Sequence, residues 1–322
     1  MPVTSQVVGV SLAGCGAVGS ALVSLLRSAP AVDGRPVRVT RVLVRRPFQV
    51  RPVYPRSVTL DLGEFLGGSA GVVVEAIGGV EPALTIARHV LGRGGVLVTA
   101  NKELVAGHGP ELEAMARESG GWFGFGAAVG GGVPVIRMLR QSLPPSGATV
   151  IRGVLNGTSN FVLTRLEEGV SLTRALAEAR ERGLAEADPS RDLDGRDVAA
   201  KLAILCWVAW GIAPRDVAVH RQGLLPDLEA RVHEAARLGG RLRLVGECRR
   251  TPDGVIARVR PEVVAPDSAA GRIRLEGNLV ELETGWGLPL VLAGPGAGGA
   301  PTATALWADL REGLLRTGVT SR

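Results

Sequence analysis

Lys102, in TANKELVA (99–106), and Lys201, in DGRDVAAKLAILCW (194–207), are the two lysines among 37 basic residues; the others are all arginine. A guanidinium stays protonated under any biological condition, whereas burial and neighbours can move a lysine amine into a range where it exchanges protons. Two lysines kept in so arginine-biased a chain are candidate acid/base groups, with ordinary surface lysines as the alternative. Ahead of Lys201, the loop EADPSRDLDG (186–195) brings Glu186, Asp188, Asp192 and Asp194, with Asp197 just beyond. A helix starting near Gly195 sets Asp197 and Lys201 at i and i+4, on one face. Lys201 also opens the apolar run LAILCWVAW, which predicts a packed helix end. Carboxylates gathered beside such a lysine suit a substrate bearing an ammonium group and a carbonyl. The carboxylates would hold the ammonium while the lysine transfers a proton to or from the oxygen. A solvated loop with one helix salt bridge is the plainer reading.

A second chemistry is written near the start. Gly14-x-Gly16-x-x-Gly19, with Ala17 and Val18 inside it, follows the strand-like VVGVSLA (7–13) and precedes a helical stretch. In that context the glycines let the backbone approach a pyrophosphate seated on the helix N-terminus. The pattern alone is weak in a chain with 45 glycines: Gly294-x-Gly296-x-x-Gly299 matches too, with room for about one helix after it. The second strand, VRVTRVLV (37–44), ends in Arg45 and Arg46, where NAD-binding domains carry an acidic ribose ligand. Guanidinium groups there suit a 2′-phosphate, which predicts NADP(H) as the preferred cofactor with NAD(H) possible. Two solvated surface arginines are the alternative.

These residues need elements to hold them, and the chain alternates strand-like and helix-like runs. Strand-to-loop units GVVVEAIGG (71–79) and GGVLVTANK (94–102) flank a helical stretch from Pro82 to Leu91. The reading is α/β: a Rossmann-type doubly wound nucleotide-binding domain with a second, α+β domain, to which the resemblance described below assigns substrate binding and dimerisation. Composition changes at AAVGGGVP (127–134), so the first domain is expected over 1–131, joined by a C-terminal helix within 300–322, and the second over 132–299. In the second, 134–142 and 171–183 read as helices, and ATVIRGVLNG (148–157), IARVRPEVV and NLVELET as strands.

The remaining composition excludes several classes. The net charge of +6 is spread over scattered arginines and aromatics are 3 %, so no nucleic-acid platform is expected. Four dispersed histidines make no zinc-like spacing, and three distant cysteines fit reduced thiols. No stretch reaches the roughly 18 apolar residues of a membrane span. The opening MPVTSQVVGV has no basic segment ahead of an apolar one, so a soluble cytoplasmic protein without a signal peptide is expected.

TANKELVA (99–106), AAVGGGVPVI (127–136), GVLNGTSNFVLT (153–164), GLAEADPSRDLDGRDVAAKLAIL (183–205) and GPGAGGAPTATALWADL (294–310) together resemble homoserine dehydrogenases in order, spacing and wording. The resemblance covers nearly the whole chain. It implies interconversion of L-aspartate 4-semialdehyde and L-homoserine in threonine, methionine and isoleucine biosynthesis, by a homodimer formed through the substrate domain. Lys201 matches the proton donor and acceptor, and Lys102 the lysine beside nicotinamide and substrate. Glu186 and Asp197 match the carboxylates that bind the amino acid, Asp192 the acidic residue near them, and Gly157 and Thr158 the loop that meets substrate. Thr99, Gly183, Gly296 and Gly298 match positions beside the cofactor. The backbone carbonyls of Val129, Gly131 and Val133 match those of a monovalent cation site (Na+ or K+), but Gly126 stands where many members carry a glutamate. Longer relatives carry a C-terminal ACT domain that binds a regulatory amino acid; a short form without it is expected. The alternatives are another Rossmann amino-acid dehydrogenase, such as aspartate-semialdehyde dehydrogenase, and a non-catalytic NADP-binding paralogue. The former needs a cysteine nucleophile, and neither Cys15 in the glycine loop nor Cys206 in an apolar run is well suited.

Overall fold

An apolar run without polar alternation makes a strand buried on both faces, and all six residues of β1 (Val8–Ala13) are buried. The computed structural model describes residues 7–28, 31–46, 57–68, 71–143, 147–185, 188–285, 287 and 289–318. The chain divides into two compact units, residues 1–128 with 299–322, and residues 129–298.

In the first unit, β1 is followed by α1 (Ala17–Arg27), β2 (Ala31–Val32), β3 (Arg35–Leu43), β4 (Val58–Thr59) and α2 (Leu62–Gly67). Then come β5 (Val72–Glu75), α3 (Ala83–Leu91), β6 (Val96–Thr99), α4 (Lys102–Ser119) and β7 (Trp122–Gly124). The parallel strands lie in the order β4-β3-β1-β5-β6-β7, with β2 antiparallel to the start of β3. Strand order therefore reverses at β1, and in open sheets of this kind ligands bind at the carboxyl ends beside that reversal. The C-terminal helix (Gly299–Thr317) puts Ala303, Leu306, Leu310 and Leu314 into the same core as Val10, Leu22 and Val96.

The second unit contains α5 (Val135–Gln141), β8 (Ala148–Val154), α6 (Gly157–Glu167), α7 (Leu172–Glu181), α8 (Ser190–Leu193), α9 (Arg196–Trp210) and β9 (Val219–Arg221). It continues through α10 (Leu228–Arg237), β10 (Arg241–Thr251), β11 (Gly254–Val264), α11 (Ala269–Arg272), β12 (Gly277–Thr284) and β13 (Leu290–Pro295). Its sheet runs β13-β12-β8-β10-β11-β9, antiparallel except for the β11–β9 pair. One face carries the helices: Gly246 of β10 sits where any side chain would strike Val198 and Leu202 of α9.

The sequence reading carries the strand after 148 on to 157. The structure ends β8 at Val154 and begins α6 at Gly157, because the side chain of Asn156 accepts from Ser159 N at 2.7 Å and caps the helix. Arginine also disguises β10, whose RLRLVGECRRT hides a strand with a wholly buried Arg243. That guanidinium pairs with Glu167 and donates to the carbonyls of Leu242 (2.7 Å), Ile273 (3.1 Å) and Ala270 (3.2 Å).

Candidate active site

In the first unit, a cavity of about 600 Å³ opens at the carboxyl ends of β1 and β3, lined by Gly14, Gly16, Arg45, Arg46, Leu60 and Ile77 among others. Two glycines of the fingerprint are there for steric reasons. Gly14 has φ +93°, and a Cβ on it would lie 2.5 Å from Ala76 O. A Cβ on Gly19 would lie 2.2 Å from Gly14 O, so only glycine lets α1 close against the turn. Gly16 is exposed and its Cβ position is open for 4 Å around, which leaves space for a ligand's own atoms. Gly16 also caps α1 without any side-chain bond, and with no acidic residue in the first turn the N–H groups of Ala17 and Val18 begin a helix end suited to an anion. Arg45 and Arg46 are exposed on the cavity rim.

Beneath this cavity lies a group the sequence reading missed. Glu75, the last residue of β5, is wholly buried; its carboxylate accepts from Ile77 N (2.7 Å) and Gly78 N (3.3 Å) and bonds the Thr99 hydroxyl at 2.5 Å. Thr99 in turn accepts from Asn101 N at 2.9 Å, and the Asn101 side chain caps α4 through Glu103 N and Leu104 N, both at 3.1 Å. Thr99 thus spends its hydroxyl inside the domain, and the chain entering α4 at Lys102 is tied to the segment lining the cavity. Burial pushes the Glu75 carboxyl up from its ordinary range, against the hydrogen bonds of Thr99, Ile77 and Gly78. A raised folded-state value means that the contribution to stability is complete below the unfolded carboxyl pKa and is lost as pH rises through the folded one. The melting temperature of the wild type should therefore fall relative to Glu75→Gln as pH rises above about 4. A difference that stays flat or grows with pH would show that the hydrogen bonds outweigh burial.

In the second unit, Lys201 is 9 % exposed on α9. Its Nζ donates to Leu155 O at 2.7 Å and pairs with Asp197 Oδ2 at 2.8 Å. Asn156 Nδ2 donates to the same Asp197 oxygen at 2.8 Å and to Asp192 Oδ1 at 2.7 Å. Gly195, at φ +82°, supplies the turn that starts α9. The structure thus gathers Lys201, Asp197 and Asp192 and adds Asn156 and the Leu155 carbonyl, which the sequence reading did not single out. Thr158 is buried next to them, donating to Leu184 O at 2.7 Å. A Cβ on Gly157 would meet Glu276 O at 3.0 Å. Asn278, wholly buried, shares the Leu155 carbonyl at 3.3 Å, and its amide lies against Gly296, where a Cβ would come within 1.9 Å. Gly183 and Gly298 are exposed at φ +70° and +109°. Asp188 is turned to its own loop, accepting from Ser190 N at 2.9 Å, and Glu186 lies outside the described residues.

Gly126 brings no carboxylate to a cation site, and its N–H donates to Asp309 Oδ2 at 2.6 Å. Among Val129, Gly131 and Val133, the Val133 carbonyl already accepts from Val135 N at 2.8 Å. Among the described residues no group of three or more His, Cys, Asp or Glu is placed to hold a metal, and no helix is long and apolar enough to cross a membrane. The cysteines offer no nucleophile for acyl chemistry. Cys206 and Cys248 are wholly buried, and a hydrogen bond with Cys206 together with burial holds the Cys248 thiol well above the usual range.

Residues 14–125 match the homoserine dehydrogenase NAD-binding domain, and residues 134–310 match the homoserine dehydrogenase domain. A homoserine dehydrogenase of Pseudomonas aeruginosa is 36 % identical over 94 % of this chain and 71 % of its own length. The Bacillus subtilis enzyme is 33 % identical over 98 % of this chain and 75 % of its own. The crystal structure of the Thiobacillus denitrificans homoserine dehydrogenase superposes with a TM-score of 0.84 at 33 % identity, covering 95 % of this chain and 73 % of that one. A hyperthermophilic archaeal homoserine dehydrogenase solved with NADPH gives 0.81 at 26 % identity, covering 96 % and 98 %. With a nucleotide-binding domain ahead of a catalytic domain matched over nearly its whole length, this chain belongs to the homoserine dehydrogenase family of oxidoreductases acting on CH–OH groups.

Proposed function

We propose that the chain reduces L-aspartate 4-semialdehyde reversibly to L-homoserine with NADP(H) as preferred cofactor, Lys201 being the acid/base group. The observation that carries this is the state of Lys201: a buried amine with two acceptors, Leu155 O and Asp197, and capacity as an ammonium for a third hydrogen bond. That third N–H is the one offered to the substrate oxygen. A bound nicotinamide nucleotide supplies or takes the hydride at the carbonyl carbon. Lys201 gives its proton to the oxygen as negative charge grows there, and takes it back in the oxidative direction. Asp197 and Asp192, with Glu186, hold the amino-acid ammonium, while Gly157 and Thr158 bound the place it occupies. Lys102 adds positive charge on the cofactor's side. No step is routed through a cation. Purified protein given aspartate semialdehyde and NADPH should consume both, and absence of turnover would leave only a nucleotide-binding relative.

In the cofactor cavity, Gly16 and the start of α1 would take the pyrophosphate, and Arg45 and Arg46 the 2′-phosphate. What supports this preference is two exposed guanidinium groups on the rim and an apolar wall, Leu43 and Val44, at the strand end where an acidic residue would bind the ribose diol. Replacing both arginines with Ala should weaken NADPH by at least about tenfold while NADH changes little, since each charge-assisted phosphate bond exceeds a neutral one. Fluorescence titration of both cofactors checks it; equal losses would remove the arginines from the 2′-phosphate.

We also infer a cytoplasmic homodimer. Its support is the likeness to the homoserine dehydrogenase family, by analogy alone. The three cysteines, all unpaired, fit a reducing compartment.

A further inference from the structure

Asn156 lies at the centre of the lysine–carboxylate group and is 3 % exposed. Its amide orientation is dictated by its neighbours: Oδ1 faces a donor, the backbone N–H of Ser159, and Nδ2 faces two acceptors, the carboxylates of Asp192 and Asp197. One side chain therefore makes three hydrogen bonds of 2.7, 2.7 and 2.8 Å, one to its own helix and two to carboxylates 36 and 41 residues away. The Asp197 oxygen it holds is the same one that Lys201 holds.

Two carboxylates brought to one group repel, and without compensation one of them takes up a proton. Lys201 compensates Asp197 directly, while the two N–H bonds of Asn156 reach both acids and add no charge. We infer that Asn156 is a positioning residue of the reaction, a neutral clamp that keeps Asp192 and Asp197 ionised side by side, with Asp197 aimed at Lys201. The inference rests on the proposed role of Lys201 and names what sets the state of the carboxylates around it. Its capping of α6 is a separate, structural duty, and the two can be divided by substitution.

Asn156→Asp keeps an oxygen to accept from Ser159 N, since Asp is as good a cap as Asn. It removes both donors and sets a third carboxylate against Asp192 and Asp197. The variant should fold with a melting temperature lowered by the added buried carboxylate, and bind NADPH within about twofold of wild type. Its KM for homoserine should rise by about tenfold or more, the size expected for losing hydrogen bonds to charged groups. The acidic limb of its kcat profile should move to higher pH, because the added negative charge favours the protonated lysine. Asn156→Ser, which keeps a cap and adds no charge, should show the KM rise with a smaller movement of the limb. It also decides the matter if Asn156→Asp fails to fold. Active wild type with both variants unchanged in KM and pH profile overturns the inference, as does a loss confined to melting temperature. Wild type inactive on aspartate semialdehyde overturns the functional reading first, and the inference with it.

Discussion

Lys201→Arg should fold, bind NADPH as the wild type does, and lose on the order of 10²-fold or more in kcat. Arginine preserves the positive charge and can still reach a carboxylate at the position of Asp197. What it cannot do near neutral pH is give up a proton and recover it. The variant therefore separates stabilisation of a developing alkoxide by charge, which it retains, from proton transfer, which it abolishes. The guanidinium is also larger and planar, and Lys201 is packed at 9 % exposure, so a melting curve must accompany the kinetics. A folded variant with near-normal kcat would show that charge alone suffices and that the proton travels by another route. A large fall in kcat with little change in NADPH affinity is the expected outcome.

Arg243→Met should destabilise the second unit by about 3–5 kcal/mol, as breaking a buried ion pair by removing one partner does. Arg243 has no exposed surface, and Glu167, its partner, is 12 % exposed. Glu167 keeps Arg274 at 2.7 Å in the variant, which argues for the lower end of that range. Against this, the carbonyls of Leu242, Ala270 and Ile273 all lose a donor, and a buried acceptor left unpaired carries its own penalty. Methionine fills much of the volume, so the loss reports hydrogen bonds and charge rather than a cavity. Denaturant unfolding should show a lower midpoint at unchanged slope. A midpoint equal to that of wild type would mean that the loop between β11 and β12 holds its place without the guanidinium.

The chain's writing and its folding divide along a clear physical line. What the sequence determined by itself was whatever depends on local backbone period. Continuous apolar runs at 7–13, 71–74 and 96–98 can be satisfied only inside a helix-covered parallel sheet, and the strand-to-helix turn between β1 and α1 demands glycine at 14 and 19. The Asp197–Lys201 pair belongs to the same class, since residues at i and i+4 of a helix meet whatever the rest of the fold does. What only the tertiary structure decided were the partners brought in from a distance: Asn156 to Asp192 and Asp197, the Leu155 carbonyl to Lys201, Thr99 to Glu75, and Glu167 to Arg243. Asn156 reads in sequence as part of a strand, yet the strand stops at Val154, and its place just ahead of α6 makes it both a cap and a clamp. Nothing local marks Glu75 or Arg243 for burial; β-strand register with the packing above it buries them. Side chains of this kind earn their positions through contacts between elements whose pairing no local pattern encodes. They are decided when strands align and helices settle onto them, because a buried polar group is tolerated only where that assembly supplies its partners.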